Sequence, residues 1–322
     1  WAYESTGIRE LQDSGLDGSG IHVCMVDTGI DDSHPDFANL TLTGFRDFYE
    51  DEHDLVRDVG EDSHGTMMAG LLVADGKFRG AAPGVDLSVA LALGPSGTSG
   101  QEDRVAQAIR WCRITQKADI VSLSLGSEPG DGMGIQSETT LAVQEALDAG
   151  IFVVAAAGNT GDDPDIFDVS VPANLPGVIA VGSSTRSGSV WSNSAGGSLT
   201  NPYGDGNRSY PDQKPEVTAP GVLLFSTTTT LIEPPYAYST GTSDSTVLVT
   251  GALALILELH GAALAGDDGV IDSDEMGIVK RALASSCDKT GIDGSPHDIR
   301  GGYGMLDAVQ WASDIAFELN LA

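Results

Sequence analysis

Three short segments carry side chains that can act together on a carbonyl group. Asp27 ends an apolar run at residues 21–26, in Val26-Asp27-Thr28-Gly29. His64 stands in Asp62-Ser63-His64-Gly65-Thr66, directly before small residues and a helical pattern. Ser243 stands in Gly241-Thr242-Ser243-Asp244, at the entry to the apolar run 247–257. A serine hydroxyl is a poor nucleophile until a base takes its proton, and imidazole is that base near neutral pH. A carboxylate can fix the imidazole tautomer. Taken singly, each segment has an ordinary structural meaning: a loop-start aspartate, a structural histidine, a serine N-cap. Position adds to residue type. Ser243 falls at a helix N-terminus, where unpaired N–H groups and the helix dipole favour negative charge. Asp27 falls at the carboxyl end of a buried strand, where open α/β sheets build their sites. Gly65 leaves room for another group to approach the backbone closely.

The elements that must position these residues are legible as alternating patterns. Apolar runs at 21–26, 86–93, 119–125, 151–157 and 178–182 read as strands buried on both faces, as in a parallel sheet. Amphipathic stretches at 101–115 and 138–149 read as helices between them. This alternation predicts an α/β fold, with helices on both sides of a mostly parallel central sheet. No Pro/Ser linker divides the 322 residues, and the Gly- and Ser-rich stretch 183–213 reads as a surface insertion, so one domain is expected.

Composition excludes several classes. Hydrophobic residues make up 41% of the chain, enough for a sizeable core. Asp and Glu number 47 against 16 Lys and Arg, a formal charge of −31 that repels nucleic acid and anionic lipid. No unbroken run of 18 apolar residues occurs, so no membrane span is expected. The chain begins at Trp1 without a signal peptide, as expected of a processed or trimmed product. Of three cysteines, Cys24 and Cys112 read as small buried core residues, and a Cys112–Cys287 bridge stays open.

Asp-Thr-Gly, His-Gly-Thr and Gly-Thr-Ser, in that chain order, resemble the subtilisin-like serine protease (subtilase) family. Supporting segments lie at 122–126, 155–159, 214–221 and 302–308, so the likeness runs from about residue 20 to 308. It implies a three-layer α/β/α domain and a secreted serine endopeptidase, monomeric, made with a propeptide and needing no catalytic cofactor. Ser243 would be the nucleophile, His64 the base, Asp27 its partner and Asn159 the oxyanion donor. Substrate would pair with Ser124, Leu125 and Gly126 on one side and the loop bearing Gly97 on the other. Those three residues, with Ala155, Ala156, Ala157 and Gly158, would wall the pocket for the residue before the cut. Ser170 would lie near its base, and a sizeable apolar residue is expected there. Asp62 would rim the next subsite and favour Lys or Arg.

The chain departs from the family pattern in places. The family has Met after the nucleophile; this chain has Asp244, expected to turn to solvent or to be held by a cation, and Val247 and Leu248 replace a Pro-His pair. Lys77 and Arg79 argue against the family's calcium site beside His34-Pro35-Asp36. Structural calcium is instead expected in the acidic loop 47–62, with Asp54, Asp58 and Asp62 as candidate ligands. Two other readings remain open: acyl transfer to an amine, as in a peptide ligase or macrocyclase, and a catalytically silent binding domain.

Overall fold

Apolar runs without alternation bury both faces of their strands, and the sheet is built from such runs. The computed structural model describes residues 1–50, 55–98, 102–128, 137–163, 165–166, 168–289 and 295–321. Short helices α1 (Ala2–Ser5) and α2 (Ile8–Asp13) lead into β1 (His22–Asp27) and β2 (Thr41–Asp47). There follow α3 (His64–Val73), β3 (Asp86–Leu91), α4 (Glu102–Trp111), β4 (Ile120–Leu123), α5 (Glu138–Leu147), β5 (Phe152–Ala156) and β6 (Ile179–Ser184). Next come β7 (Val217–Pro220), β8 (Val222–Thr227), β9 (Tyr236–Thr240), α6 (Thr242–Leu264), α7 (Ser273–Ser286) and α8 (Ala308–Glu318).

Seven strands form one sheet in the order β2-β3-β1-β4-β5-β6-β7. Every pairing in it is parallel. From β1 the chain passes directly to the edge strand β2, steps back to β3 beside β1, then crosses to β4 and winds to the other edge. The reversal point lies between β1 and β4, so the loops after these strands diverge and leave a crevice at their carboxyl ends. Asp27 closes β1 there. β8 and β9 form a separate antiparallel hairpin leading to α6.

Side-chain alternation places the helices. Cys24 pairs with Val121 and Met25 with Ser122, so Cys24 and Ser122 face opposite ways. Ser122 hydrogen-bonds Thr250 of α6, whereas Cys24 meets Cys112 just after α4. α6 and α4 therefore cover opposite faces, as the three-layer expectation requires.

The cysteine expectation is corrected. Cys24 and Cys112 form a disulfide with Cα atoms 5.7 Å apart. Cys287 follows α7, buried and unbridged. Sequence spacing hid this because the partners stand 88 positions apart, with β2, α3, β3 and α4 between them.

The membrane expectation is also refined. Among the described residues one helix, α6, is long and apolar enough to cross a bilayer, because its few hydroxyls and glycines barely lower its mean hydropathy. In the fold, 72% of its most apolar window is packed inside the protein.

Two lysines sit in the interior beneath β6 and β7. Lys214 and Lys280 each donate to Glu216 Oε1 at 2.8 Å, and Lys280 also binds Asp212. Glu216 Oε2 accepts the Ala180 N–H at 2.8 Å. Burial pushes the Lys214 ammonium down to about 8, while the carboxylates offset burial at Lys280 and raise it. Removing one member of such a buried network strands the others. Lys280→Met is expected to lower unfolding free energy by about 3–5 kcal/mol, measured by urea denaturation; a change under about 1 kcal/mol would show that the network contributes little.

Candidate active site

Two glycines bring Asp27 and His64 together. Gly29, just past β1, has φ +112°, a left-handed value that disfavours other residues. A Cβ there would overlap the Arg57 carbonyl oxygen, and a Cβ at Gly65 would overlap the Gly29 carbonyl oxygen. The room expected at Gly65 is thus filled by the turn after β1. In the resulting contact His64 Nδ1 lies 2.7 Å from Asp27 Oδ1. Asp27 is enclosed, whereas the His64 side chain keeps 32% of its surface open. Asp27 Oδ1 also accepts the Thr28 N–H at 2.7 Å. Burial alone would lower the imidazole's proton affinity, but Asp27, with Asp244 and Asp58, raises it to about 9. Water at the open ring edge screens part of that attraction.

Asp58 holds this arrangement, a role its sequence context did not announce. Oδ1 accepts from Thr28 Oγ1 at 2.7 Å and Gly60 N at 2.8 Å. Oδ2 accepts from Thr66 N at 2.8 Å and Thr66 Oγ1 at 2.6 Å. Thr28 Oγ1 in turn accepts the Gly65 N–H at 2.8 Å. Ser63 makes no side-chain cap, so Thr28 and Asp58 satisfy the first turn of α3 from outside.

Ser243 is the second residue of α6. Its hydroxyl donates to the Ser124 carbonyl at 3.2 Å, and Ser124 Oγ donates to the Ser243 carbonyl at 3.2 Å. The hydroxyl makes no hydrogen bond to His64 among the described residues. Catalytic hydrogen bonds of this kind are often long or unformed without substrate. Asn159 Oδ1 accepts from Thr242 N at 3.0 Å and Thr242 Oγ1 at 2.9 Å. Thr242 Oγ1 itself accepts the Gly158 N–H at 3.2 Å. These bonds occupy Oδ1, and the Asn159 NH₂ has no hydrogen-bond partner among the described residues.

The expected substrate walls line up around this point. Leu125 and Gly126 continue beyond β4, outside the ladder. Ala155 and Ala156 end β5, and Ala157 N joins Val181 O. Gly97 tips an exposed turn, closed by Gly94 N to Thr98 O at 2.8 Å. Residues 99–100 of its loop lie outside the described residues. Asp62 is exposed, and its neighbour Glu61 N bonds Pro95 O at 2.9 Å, tying both rims together.

Ser170 does more than mark the pocket base. A Cβ built on Gly126 would lie 2.6 Å from Ser170 Cβ, and one on Gly158 would overlap Ser170 Oγ. The hydroxymethyl group therefore fills the gap between the two wall glycines. Ser170 N bonds Ala157 O at 2.7 Å, and Ser127 and Val171 pair on both sides of a bridge, so this floor is pinned. Nearby Asp168 accepts Arg208 Nη2 at 2.6 Å and Ser198 N at 2.9 Å. The stretch expected as a surface insertion thus sends a buried Arg208 inward.

Asp244 also differs from expectation. It is buried, not solvent-facing, and its described partner is a hydroxyl, not a cation: Oδ2 accepts from Ser239 Oγ at 3.0 Å.

The calcium candidates are not gathered into a site among the described residues. Asp54 lies outside the described residues. Both Asp58 oxygens are saturated by the four donors above, and Asp62 stands exposed. Arg57 supplies the loop's cation, with Nη2 2.6 Å from both Asp47 Oδ2 and Glu50 Oε2. Among the described residues no group of three or more His, Cys, Asp or Glu side chains is placed to hold a metal. At the other candidate region, Tyr236 Oη donates to Asp36 Oδ1 at 2.8 Å, and Lys77 Nζ lies 4.0 Å over the Tyr236 ring, leaving an ammonium where a divalent ion would be repelled. Asp58→Asn is expected to lower stability by about 1–3 kcal/mol equally with and without chelator, followed by thermal melting. A loss that chelator abolishes would instead mark Asp58 as a ligand.

Comparison with known proteins agrees with this architecture. A profile of the Subtilase family matches residues 18–302. The chain is 36% identical over 256 residues to the major intracellular serine protease of Bacillus subtilis (strain 168), covering 77% of this chain and 71% of that protein. It is 34% identical over 253 residues to subtilisin E of the same organism, covering 78% of this chain and 58% of the relative. To the subtilisin of Bacillus pumilus it is 34% identical over 253 residues, covering 78% and 81%. This chain belongs to the subtilase family.

Proposed function

We propose that the protein is a serine endopeptidase that cleaves peptide bonds through an acyl-enzyme. The observation that carries this reading is the 2.7 Å contact between Asp27 and His64 beside a serine at a helix N-terminus. With its Nδ1–H held by Asp27, His64 presents Nε2 as a base. Ser243 Oγ, rotated toward it, loses its proton to Nε2 and bonds to the scissile carbonyl carbon. The oxyanion is met by the Asn159 amide and the Ser243 N–H. His64 then protonates the leaving amine, and water repeats the sequence on the ester.

The substrate is an extended protein or peptide segment. Leu125 and Gly126 offer unpaired backbone on one side and the Gly97 turn closes the other, which suits addition of a strand. The raised floor at Ser170 favours a small residue before the cut, and exposed Asp62 favours a basic residue one position earlier. The Cys24–Cys112 bridge supports an oxidising, extracellular setting, in which a propeptide would accompany synthesis. The acidic excess suits solubility as a monomer in salt.

Two measurements test this reading. A fluorophosphonate should label Ser243 and casein should be digested, with Ser243→Ala lowering kcat/KM by about 10⁴-fold or more. Labelling without digestion would favour transferase chemistry, and no labelling would favour a silent domain. In peptides varied before the cut, Ala should be preferred over Phe, and Ser170→Gly should shift the ratio toward Phe by about 10-fold or more. A wild-type preference for Phe would overturn the shallow-pocket assignment.

A further inference from the structure

We propose that Tyr49 is a positioning residue for substrate, whose ring holds both ends of the segment that supplies the second edge of the peptide cleft. The inference rests on the reading above, in which an extended peptide lies along the Gly97 turn. Strand register brings the parts together. β2 and β3 run parallel with Asp47 beside Leu91, so the chains leaving them emerge side by side at the carboxyl end of the sheet. Tyr49 stands two residues past β2, and Gly94 three past β3. A Cβ built on Gly94 would lie 2.6 Å from Tyr49 Cε2, 2.7 Å from Cζ and 2.9 Å from Oη. Gly94 has no left-handed φ, so its backbone does not call for glycine. The ring does, because it occupies the place of a side chain.

The same ring meets the other end of the segment. Arg104, in the first turn of α4, places its guanidinium carbon 4.9 Å from the centre of the Tyr49 ring. A cation over an aromatic face is attracted by the ring quadrupole. Gly94 opens the segment and Arg104 closes it, with the Gly97 turn between them. Tyr49 is itself fixed through its backbone. Asp47, which is buried, accepts the Tyr49 N–H at 2.8 Å and the Glu50 N–H at 2.9 Å on Oδ1. Its Oδ2 accepts from Arg57 Nη2 at 2.6 Å. Phe48 N bonds Leu91 O at 2.8 Å, and the Phe48 ring centre lies 6.1 Å from that of Trp111 in α4. The Tyr49 ring thus stands on a base tied to β3 and α4.

A peptide added as a strand gains affinity from backbone groups already in place, and ordering them on binding costs affinity. Gly94 N to Thr98 O at 2.8 Å and Gly97 N to Gly94 O at 2.9 Å close the turn internally. Glu61 N to Pro95 O at 2.9 Å ties it to the loop before α3. Those bonds shape the turn, and Tyr49 sets where it stands relative to the sheet. Tyr49 acts through the turn and not on the reacting atoms. Its loss is therefore read in peptide binding, with the chemistry at Ser243 left in place.

The test titrates the peptide acetyl-Ala-Ala-Arg-Ala-Ala amide into chains carrying Ser243→Ala, by calorimetry, and follows fluorophosphonate labelling in chains that keep Ser243. Tyr49→Ala should weaken the peptide about 10-fold. Tyr49→Phe, which keeps the ring, should weaken it by less than about 2-fold. Labelling rates should stay within about 2-fold of wild type in both. Gly94→Ala should weaken the peptide about 10-fold beside Tyr49, but less than about 2-fold in the Tyr49→Ala background, where the added Cβ meets no ring. Circular dichroism checks folding, and Gly94→Ala is an independent arm if Tyr49→Ala does not fold. Peptide affinity unchanged in either folded variant overturns the proposal. So do equal losses at Gly94 in both backgrounds, a labelling rate that falls in step with affinity, or no peptide binding at all. Failure of Ser243 to react with fluorophosphonate would sink the protease reading, while the peptide titration, which needs no turnover, would still decide this one.

Discussion

The close approach of the turn after β1 to the first turn of α3 governs the site. The Gly29 carbonyl occupies the place of a Cβ at position 65, and the Arg57 carbonyl occupies the place of a Cβ at position 29. Any side chain at either glycine would push the two segments apart. Asp27 and His64 would then lose a contact that depends on geometry far more than on propensity. Asp58 stabilises the approach by accepting from Thr28, Gly60 and Thr66 at once. Its carboxylate acts as an external cap for a helix whose own N-cap, Ser63, is left-handed at φ 54° and makes no cap bond. Local strain and distant compensation meet at this point.

The second half of the site depends on the other end of the same logic. α6 is buried through most of its length, so its N-terminus is delivered rigidly to the crevice where the sheet order reverses. The first turn of a buried helix must find partners for its N–H groups. Thr242 N finds Asn159 Oδ1, and with that oxygen engaged the side-chain NH₂ is left to other partners. Ordinary helix-end accounting thereby orients the group suited to receive an oxyanion. Asp244, in the same turn, adds a negative charge that nothing in capping requires.

Cations are scarce in this chain, and the structure spends several of them internally. Arg57 joins Asp47 and Glu50, Arg208 enters beside Asp168, and Lys214 and Lys280 meet at Glu216. Each ties a loop or strand to its neighbour. With 47 acidic side chains against 16 basic ones, pairs that bury an acid with each base leave the negative excess of the surface essentially unchanged. In the acidic loop, Arg57 engages Asp47 and Glu50, while hydroxyl and backbone donors engage Asp58.

The sequence by itself determined the alternating strands and helices, the parallel sheet and the order of the Asp27, His64 and Ser243 segments. Burial on both faces and helical spacing are local properties, written residue by residue. Edge strand β2, with three of its seven residues exposed and only one buried, lacks the apolar signature and was not legible in this way. Only the tertiary structure decided the Cys24–Cys112 bridge, the saturation of Asp58, the plug at Ser170 and the burial of Asp244. Each depends on which residues meet after the chain has crossed the sheet. Asp58 and Asp244 show this most clearly, since a carboxylate looks the same in a sequence whether it faces water, a metal or four hydrogen-bond donors. Packing chooses among these, because a charge taken out of water must be met by donors or shift its proton affinity.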